Sequence, residues 1–202
     1  MKILIIGDSF AADWSVKYNQ YKGWPNFLAE KYDVTNLAQP GISEYKILKQ
    51  LLSVQWIDNY DLYIVSHTSP YRVHTRKHPI HANDKLHTNA DLMFNDIKYH
   101  SSNIKNVFNN SLRAALGYFK YHFDDEYYMD IFNLVKKEID RKLYGRKVIS
   151  IKTFDIVDFP CTFDLTEYYV KNKGLINHLT EPGNKEFYNL LEKQITSLTE
   201  KK

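Results

Sequence analysis

The stretch Met1-Lys-Ile-Leu-Ile-Ile-Gly-Asp-Ser-Phe10 decides the fold class of this chain. Ile3 to Ile6 form an unbroken aliphatic run that ends at Gly7. A short apolar run without alternation is typical of a strand that is buried on both faces. Three later stretches also read as strands: 33–37, 61–65 and 147–151. Helical patterns separate these strands, so the order predicts an α/β fold with a mostly parallel sheet and helices on both faces.

The helical patterns begin at recognisable signals, such as a proline in the first turn or a serine at the N-cap. The predicted segments are a short helix from Trp24-Pro25, a helix capped by Ser43, helices over 103–121 and 125–143, a short helix or turn over 163–169, and a last helix from about Pro182 past Leu191.

Length, charge and composition restrict the class of protein. The 202 residues suit one domain, and the net charge of +3 comes without a clustered Lys/Arg stripe, which argues against nucleic-acid binding. No stretch approaches the ~20 apolar residues of a membrane span. The only cysteine, Cys161, fits a reducing compartment. The apolar start is too short for a secretory leader, so we expect a chain that is complete at its N-terminus and a cytoplasmic location. The oligomeric state stays open.

A polar insertion or lid is predicted over about 66–120, because the connection after the third strand is too long for an ordinary loop. Its histidines, with spacings of four, three and six, could be drawn as a metal site: His74, His78, His81 and His87. No cysteine accompanies them, and acidic help is limited to Asp84 and Asp91. We therefore predict no metal and no cofactor. A lid or substrate-rim role fits better, and plain solvent exposure better still.

The candidate site residues lie just after the predicted strands, where open parallel sheets bind ligands. Ser9 follows the first strand, Gly41 the second and Thr68 the third. His178 lies on a loop before the last helix, and an imidazole that titrates near neutral pH can accept a serine proton. The alternatives are that Asp8 and Ser9 only cap the following turn, and that His178 is a surface residue.

Three blocks of the sequence resemble the SGNH/GDSL hydrolase family. Ile-Gly-Asp-Ser-Phe (6–10) is similar to its first block, Trp24-Pro25 with Asn-Leu-Ala-Gln-Pro-Gly-Ile-Ser (36–43) to its second, and His-Leu-Thr-Glu-Pro-Gly-Asn (178–184) to its last. The resemblance implies a flavodoxin-like three-layer α/β/α sandwich. It also implies Ser9 as nucleophile, His178 as base, and an oxyanion hole from the N–H groups of Ser9 and Gly41 with a side-chain donor after the third strand.

The chain departs from the family pattern at two positions. Thr68 occupies the place of the usual asparagine donor, and His67 or Arg72 could serve instead. Leu175 occupies the place of the acid three residues before the histidine, and a leucine cannot orient an imidazole. Substitutes for that acid are a backbone carbonyl or one of several carboxylates: Asp155, Asp158, Asp164 and Glu181.

The predicted function is hydrolysis of a small O-acyl ester, with an O-acetyl sugar suggested by family analogy and by 16 tyrosines. The predicted partner is thus a small-molecule ester or an acylated glycan. Acyl transfer by the same site is an alternative, since access of water to the acyl-enzyme decides between the two. A degenerate fold that binds a glycan or a protein is another. Possible substrate contacts are Asp8, His67, Arg72 and Asn177.

Overall fold

Five parallel strands form the central sheet of the computed structural model, which describes residues 1–17, 19–154, 158–166 and 178–200. The strands are β1 (Lys2–Gly7), β2 (Asp33–Asn36), β3 (Leu62–His67), β4 (Val148–Lys152) and β5 (Phe163–Asp164), in the order β2-β1-β3-β4-β5. All four pairings are parallel. This is the strand order of flavodoxin-like sheets, so the predicted fold class is confirmed.

Helices cover both faces of the sheet. The described helices are α1 (Trp24–Ala29), α2 (Glu44–Leu52), α3 (Phe94–Ser101), α4 (Asn110–Tyr121), α5 (Asp125–Lys142) and α6 (Glu181–Glu200). Ile3 and Ile5 pack with α1 and α6 on one face, whereas Leu4 and Ile6 pack with α2 and α5 on the other. Because both faces of β1 are buried, its sequence is apolar without alternation.

The structure of the segment that forms the last strand differs from the one predicted from the sequence. Phe163–Asp164 forms β5, which pairs with β4, where a helix or turn was expected over 163–169. The N–H of Leu165 donates to the carbonyl of Lys152 at 2.8 Å, and the Lys152 ammonium pairs with Asp164 at 2.7 Å. Tertiary pairing thus sets the structure of a segment too short to show a periodic pattern. Residues 167–169 lie outside the described residues.

The insertion after β3 carries α3 and α4, which pack around a small cluster of their own: Ile97, Leu112 and Phe119. An antiparallel bridge between Val73 and Leu92 closes the polar loop that precedes α3. The helix predicted from residue 103 begins at Asn110, because the Asn109 side chain accepts from the N–H of Leu112 and caps it. No described helix has both the length and the apolar character needed to cross a membrane.

Candidate active site

Ser9 lies directly after β1, at the carboxyl edge of the sheet. It opens a one-turn 3-10 helix, Ser9–Ala11, and is only 5% exposed. Asp8 caps this turn, since its Oδ1 accepts from the N–H of Phe10 at 3.0 Å. The indole Nε1 of Trp14 donates to the Ser9 carbonyl at 2.9 Å. The backbone around the serine is therefore held from both sides, which is the requirement for a positioned nucleophile.

The end of β1 is fixed by a side chain from α2. The Gln50 amide accepts from the Gly7 N–H at 2.8 Å and donates to the Gly7 carbonyl at 3.2 Å. A Cβ on Gly7 would lie 2.6 Å from the Cβ of Ser66 on β3. Only glycine lets the two strands approach this closely just before Ser9.

His178 arrives at the same place from the other end of the chain. Its ring stacks on Phe10 with centroids 4.9 Å apart, and it meets the edge of Trp14 at 5.4 Å. Asn184 anchors this loop, because its Oδ1 accepts from the Trp24 N–H and its Nδ2 donates to the Leu179 carbonyl, both at 3.2 Å. The structure thus brings His178 against Phe10, the residue after Ser9, and against Trp14, whose indole binds the Ser9 carbonyl.

The Ser9 hydroxyl makes no hydrogen bond within the described part of the chain. Catalytic hydrogen bonds are often long or unformed before substrate binds, so this does not argue against a Ser9–His178 pair. Leu175, Asn177 and Asp155 lie outside the described residues.

The remaining carboxylates considered for the third catalytic position are placed as follows. Asp164 pairs with Lys152, and the Glu181 carboxylate accepts from the N–H of Lys22 at 3.0 Å. Asp158 is exposed. Asp164 and Glu181 therefore each bind another group.

Gly41 adopts a left-handed φ of 77° in the turn after β2, and the insertion covers it. Its carbonyl accepts from the N–H of Asp91 at 2.9 Å, and a Cβ at this position would lie 2.8 Å from the Cβ of Ala90. The buried Asp91 carboxylate also accepts from the N–H groups of Ser43 and Thr75, both at 2.8 Å. Ser43 is the N-cap of α2, as predicted, but its backbone N–H rather than its hydroxyl makes the contact.

Thr68 is the centre of a buried hydrogen-bond chain. Its hydroxyl donates to Asp8 Oδ2 at 2.9 Å and accepts from Arg72 Nε at 2.9 Å. The hydroxyl hydrogen is therefore committed to Asp8, and in this arrangement Thr68 does not offer it to a substrate oxygen. The chain Asp8–Thr68–Arg72 instead ties the ends of β1 and β3 together beside Ser9.

Burial dominates the electrostatics of the Asp8–Thr68–Arg72 hydrogen-bond chain. It raises the pKa of Asp8 to about 6, although the Arg72 charge and the hydrogen bonds from Phe10 and Thr68 act in the opposite direction. Burial likewise lowers the pKa of the Arg72 guanidinium, against the attraction of Asp8, Asp91 and Asp96. Asp8, next to Ser9, therefore keeps its proton to a higher pH than an exposed aspartate does.

Glu44 is a site residue that the sequence analysis missed. Its Oε1 lies 2.6 Å from His67 Nδ1, and its Oε2 accepts from the Thr68 N–H at 3.1 Å. All three groups are buried. A signal was available: Glu44 occupies the same helix face as Ile47, Leu48 and Leu51, and a charged residue on an apolar face requires a partner. His67 is thereby turned toward α2.

Within the described ranges, the clusters that could hold a metal ion lie on the insertion: His78 with His81 and Asp96, and His81 with Asp84 and His87. His74 stands apart from them, with Nδ1 3.3 Å from Asp91 and its ring against Tyr45.

The chain matches no protein-family model and no curated protein sequence. Among solved structures it is similar to the psychrotrophic esterase EstA from Pseudoalteromonas sp., with 15% identity, 98% of each chain covered and a TM-score of 0.45. It is also similar to a lipase/acylhydrolase from Enterococcus faecalis, with 13% identity, 97% of this chain and 95% of that one covered, and a TM-score of 0.42. A third similar structure is the acetyl xylan esterase AlAXEase, with 12% identity, 96% of this chain and 100% of that one covered, and a TM-score of 0.43.

Proposed function

We propose that the chain is a serine ester hydrolase of the SGNH/GDSL type, in which Ser9 is the nucleophile and His178 the base. The observation that supports this proposal is the contact between His178 and Phe10, the residue after Ser9. A serine after a strand can merely cap a turn, but here a histidine from the far end of the sequence packs against its neighbour. A nucleophile and a base at one place is the requirement of acyl transfer through serine.

The proposed reaction passes through an acyl-serine. Ser9 Oγ attacks the ester carbonyl carbon while His178 takes the hydroxyl proton, and the tetrahedral oxyanion forms. As the oxyanion collapses, the bond to the alcohol breaks and His178 returns the proton to that alcohol. A water then attacks the acyl-serine with His178 again as base, which releases the acid and restores Ser9.

Two backbone N–H groups make up the proposed oxyanion hole, those of Ser9 and Gly41. Neither donates to an acceptor within the described part of the chain. Because the Thr68 hydroxyl hydrogen is used on Asp8, the donor role predicted for it is replaced by a positioning role. Loss of one oxyanion donor typically costs about 10²–10³ in rate, so a two-donor hole still gives substantial stabilisation.

A cleft of about 1030 Å³ lies beside the end of β3. Ser9 and His178 do not line it, so its proposed occupant is the part of a substrate that lies beyond the reacting ester. Ser69, next to Thr68, lines it together with aromatic and polar groups from the insertion, among them Tyr71, Phe119 and His122. Aromatic faces interleaved with polar groups suit an acylated glycan or another polar ester. We therefore assign the insertion the role of the substrate rim.

The test combines turnover with covalent labelling. Wild type, Ser9→Ala, His178→Ala and the exposed control Ser197→Ala are assayed with p-nitrophenyl acetate, and each is treated with a fluorophosphonate whose fluoride the nucleophile displaces. We expect labelling of the Ser9 peptide in wild type and in Ser197→Ala. Turnover should fall by at least about 10³-fold in Ser9→Ala and in His178→Ala. Labelling elsewhere, or equal turnover in all four proteins, contradicts the proposal. Product analysis with an added alcohol separates hydrolysis from acyl transfer.

A further inference from the structure

The histidines of the insertion converge on two aspartates, in a way that their spacing in the sequence did not reveal. His81 Nδ1 lies 3.7 Å from Asp84 Oδ2, and His87 Nδ1 lies 3.2 Å from the same oxygen. One potential ligand atom from each of the three side chains lies within 4.8 Å of the other two. We propose that His81, Asp84 and His87 form a binding site for a divalent transition-metal ion of the zinc type.

The distances between these atoms suit such an ion. Zinc binds nitrogen and carboxylate oxygen at about 2.0–2.2 Å in tetrahedral geometry, which sets neighbouring ligand atoms roughly 3.3–3.5 Å apart. The two observed distances to Asp84 bracket that value. The three side chains are between 19% and 39% exposed, so solvent reaches the fourth position of the tetrahedron.

One short segment presents all three ligands. His81–Asn83 is a 3-10 turn whose end is held by a hydrogen bond from the Asp84 N–H to the His81 carbonyl at 2.9 Å. Asp84 Oδ1 accepts from the Leu86 N–H at 2.8 Å, which leaves Oδ2 toward the imidazoles. The spacing His-x2-Asp-x2-His therefore becomes a preformed pocket because the backbone folds back on itself within seven residues.

A separate observation concerns the proton of His81. A histidine that binds a metal through Nδ1 must carry its proton on Nε2, and such histidines usually donate that proton to a carboxylate. His81 Nε2 lies 3.3 Å from Asp96 Oδ1, so Asp96 can accept it. This contact selects the ring form that leaves Nδ1 free to bind the ion.

The neighbouring set of His78, His81 and Asp96 is a poorer site. His78 Nδ1 accepts from the N–H groups of Ile80 and His81, at 3.2 and 3.1 Å. The neutral ring therefore carries its proton on Nε2, the nitrogen that faces Asp96 at 3.4 Å. A protonated ring nitrogen has no lone pair for a metal, so His78 supports the turn and does not bind the ion.

An ion at this site would stabilise the segment that covers Gly41. The His87 carbonyl accepts from the Ala90 N–H at 2.8 Å, and His87 Cδ2 lies 3.6 Å from where a Cβ on Gly41 would be. The ion would thus connect the 3-10 turn to the residues packed on the turn after β2. This inference does not depend on the proposed ester hydrolysis.

The experiment uses tag-free, full-length protein that has been freed of metal with a chelator and dialysed. CoCl2 is followed by visible absorption and ZnCl2 by calorimetry. We expect saturable binding of one ion per chain, with at least about a 100-fold weaker affinity in His87→Ala and in Asp84→Asn. Asp96→Asn should bind the ion about 10–100-fold more weakly, because a carboxylate that accepts the proton of a metal-bound histidine typically contributes that much to affinity. The control His100→Ala, whose ring also lies near Asp96, should bind as wild type does.

The thermal transition gives a second readout. ZnCl2 should raise the melting temperature of wild type and of His100→Ala but not of His87→Ala, and circular dichroism shows that each variant is folded. Absence of saturable binding of both ions to wild type overturns the proposal. So does a wild-type affinity in His87→Ala, or a greater loss in His78→Asn than in Asp84→Asn, which would move the ion to the other cluster.

Discussion

The two polar regions of the molecule differ in how completely the fold satisfies their side chains. At the carboxyl ends of β1 and β3, Asp8, Glu44 and Thr68 are buried, and each makes at least two hydrogen bonds. On the insertion, His81 and Asp84 are partly exposed and contact mainly each other and neighbouring ionisable groups. The side chains at the strand ends are hydrogen-bonded without a ligand, whereas those on the insertion would make further bonds to a bound ion. A reaction site needs side chains held in place before substrate binds, and a segment that binds an ion can be ordered by the ion itself.

The strongest test of this difference between the two regions is to remove one carboxylate from each of them and to measure stability in metal-free buffer. Glu44→Ala leaves the His67 Nδ1–H and the Thr68 N–H buried without an acceptor, and we expect a loss of about 2–5 kcal/mol in the free energy of unfolding. Asp84→Ala should lose about 1 kcal/mol or less, because water replaces its contacts. Chemical denaturation measures both.

Glu44→Gln is the matched control, since it keeps one oxygen acceptor and should fall between wild type and Glu44→Ala. Equal losses from Glu44→Ala and Asp84→Ala would mean that the two regions are equally open to water, and the distinction drawn above would fail.

The first strand was predictable because both of its faces are covered, and Ile3 to Ile6 must then be apolar throughout. Where the structure depends on partners distant in sequence, prediction failed. Phe163–Asp164 is a strand only because β4 lies beside it, and α3 buries Ile97 alone, which leaves no periodic pattern to detect.

The pH dependence of stability offers a second test, because each region holds a buried group with a large pKa shift and the two shifts have opposite signs. Asp8 has its pKa raised to about 6, chiefly by burial, so between pH 4 and 6 the folded state holds a proton that the unfolded state has lost. Stability from this group therefore falls as pH rises. His78 has its pKa lowered to about 4, again chiefly by burial, so over the same interval only the unfolded state is protonated, and stability rises with pH.

The two contributions, roughly 2–3 kcal/mol each over this interval, offset one another in wild type. We expect His78→Asn, whose Oδ1 can still accept from Ile80 and His81, to make the pH slope of stability more negative than in wild type. Asp8→Asn should make it more positive. Denaturation midpoints at pH 4, 5 and 6 measure the slopes, and a shift of the same sign in both variants contradicts the assignment.

The place of Ser9, Gly41 and Thr68 in the fold was predictable from the sequence, but their hydrogen-bond partners were not. Ser9, Gly41 and Thr68 follow from the rule that ligands bind where parallel strands end. That Thr68 donates to Asp8, and that Glu44 reaches across from α2, depend on how β1, β3 and α2 pack, and no local pattern encodes it. The spacing of the histidines in the insertion, with Asp84 nearby, did not show that His81 and His87 contact Asp84, or that Asp96 lies behind His81.

Gly41→Ala tests whether the two regions are coupled through the turn that they share. A left-handed φ costs a residue with a side chain about 1–2 kcal/mol, and the new Cβ would press on Ala90 at 2.8 Å. We expect a loss of stability of about 2 kcal/mol, together with a rate loss toward p-nitrophenyl acetate, because the N–H of residue 41 would move with the turn. Denaturation and steady-state kinetics on the same preparation measure the two effects.

Gly117→Ala is the matched control, and its expected effect is the smallest and opposite in sign. Gly117 lies inside α4, where a Cβ would meet nothing within 4 Å, so alanine adds helix propensity without a clash. We expect a gain of about 0.5–1 kcal/mol with no change in turnover. If Gly117→Ala stabilises the protein while Gly41→Ala lowers both stability and rate, the insertion affects the reaction through its contact with residue 41, not through its general stability. A rate loss in Gly117→Ala would instead place the coupling in the helices of the insertion.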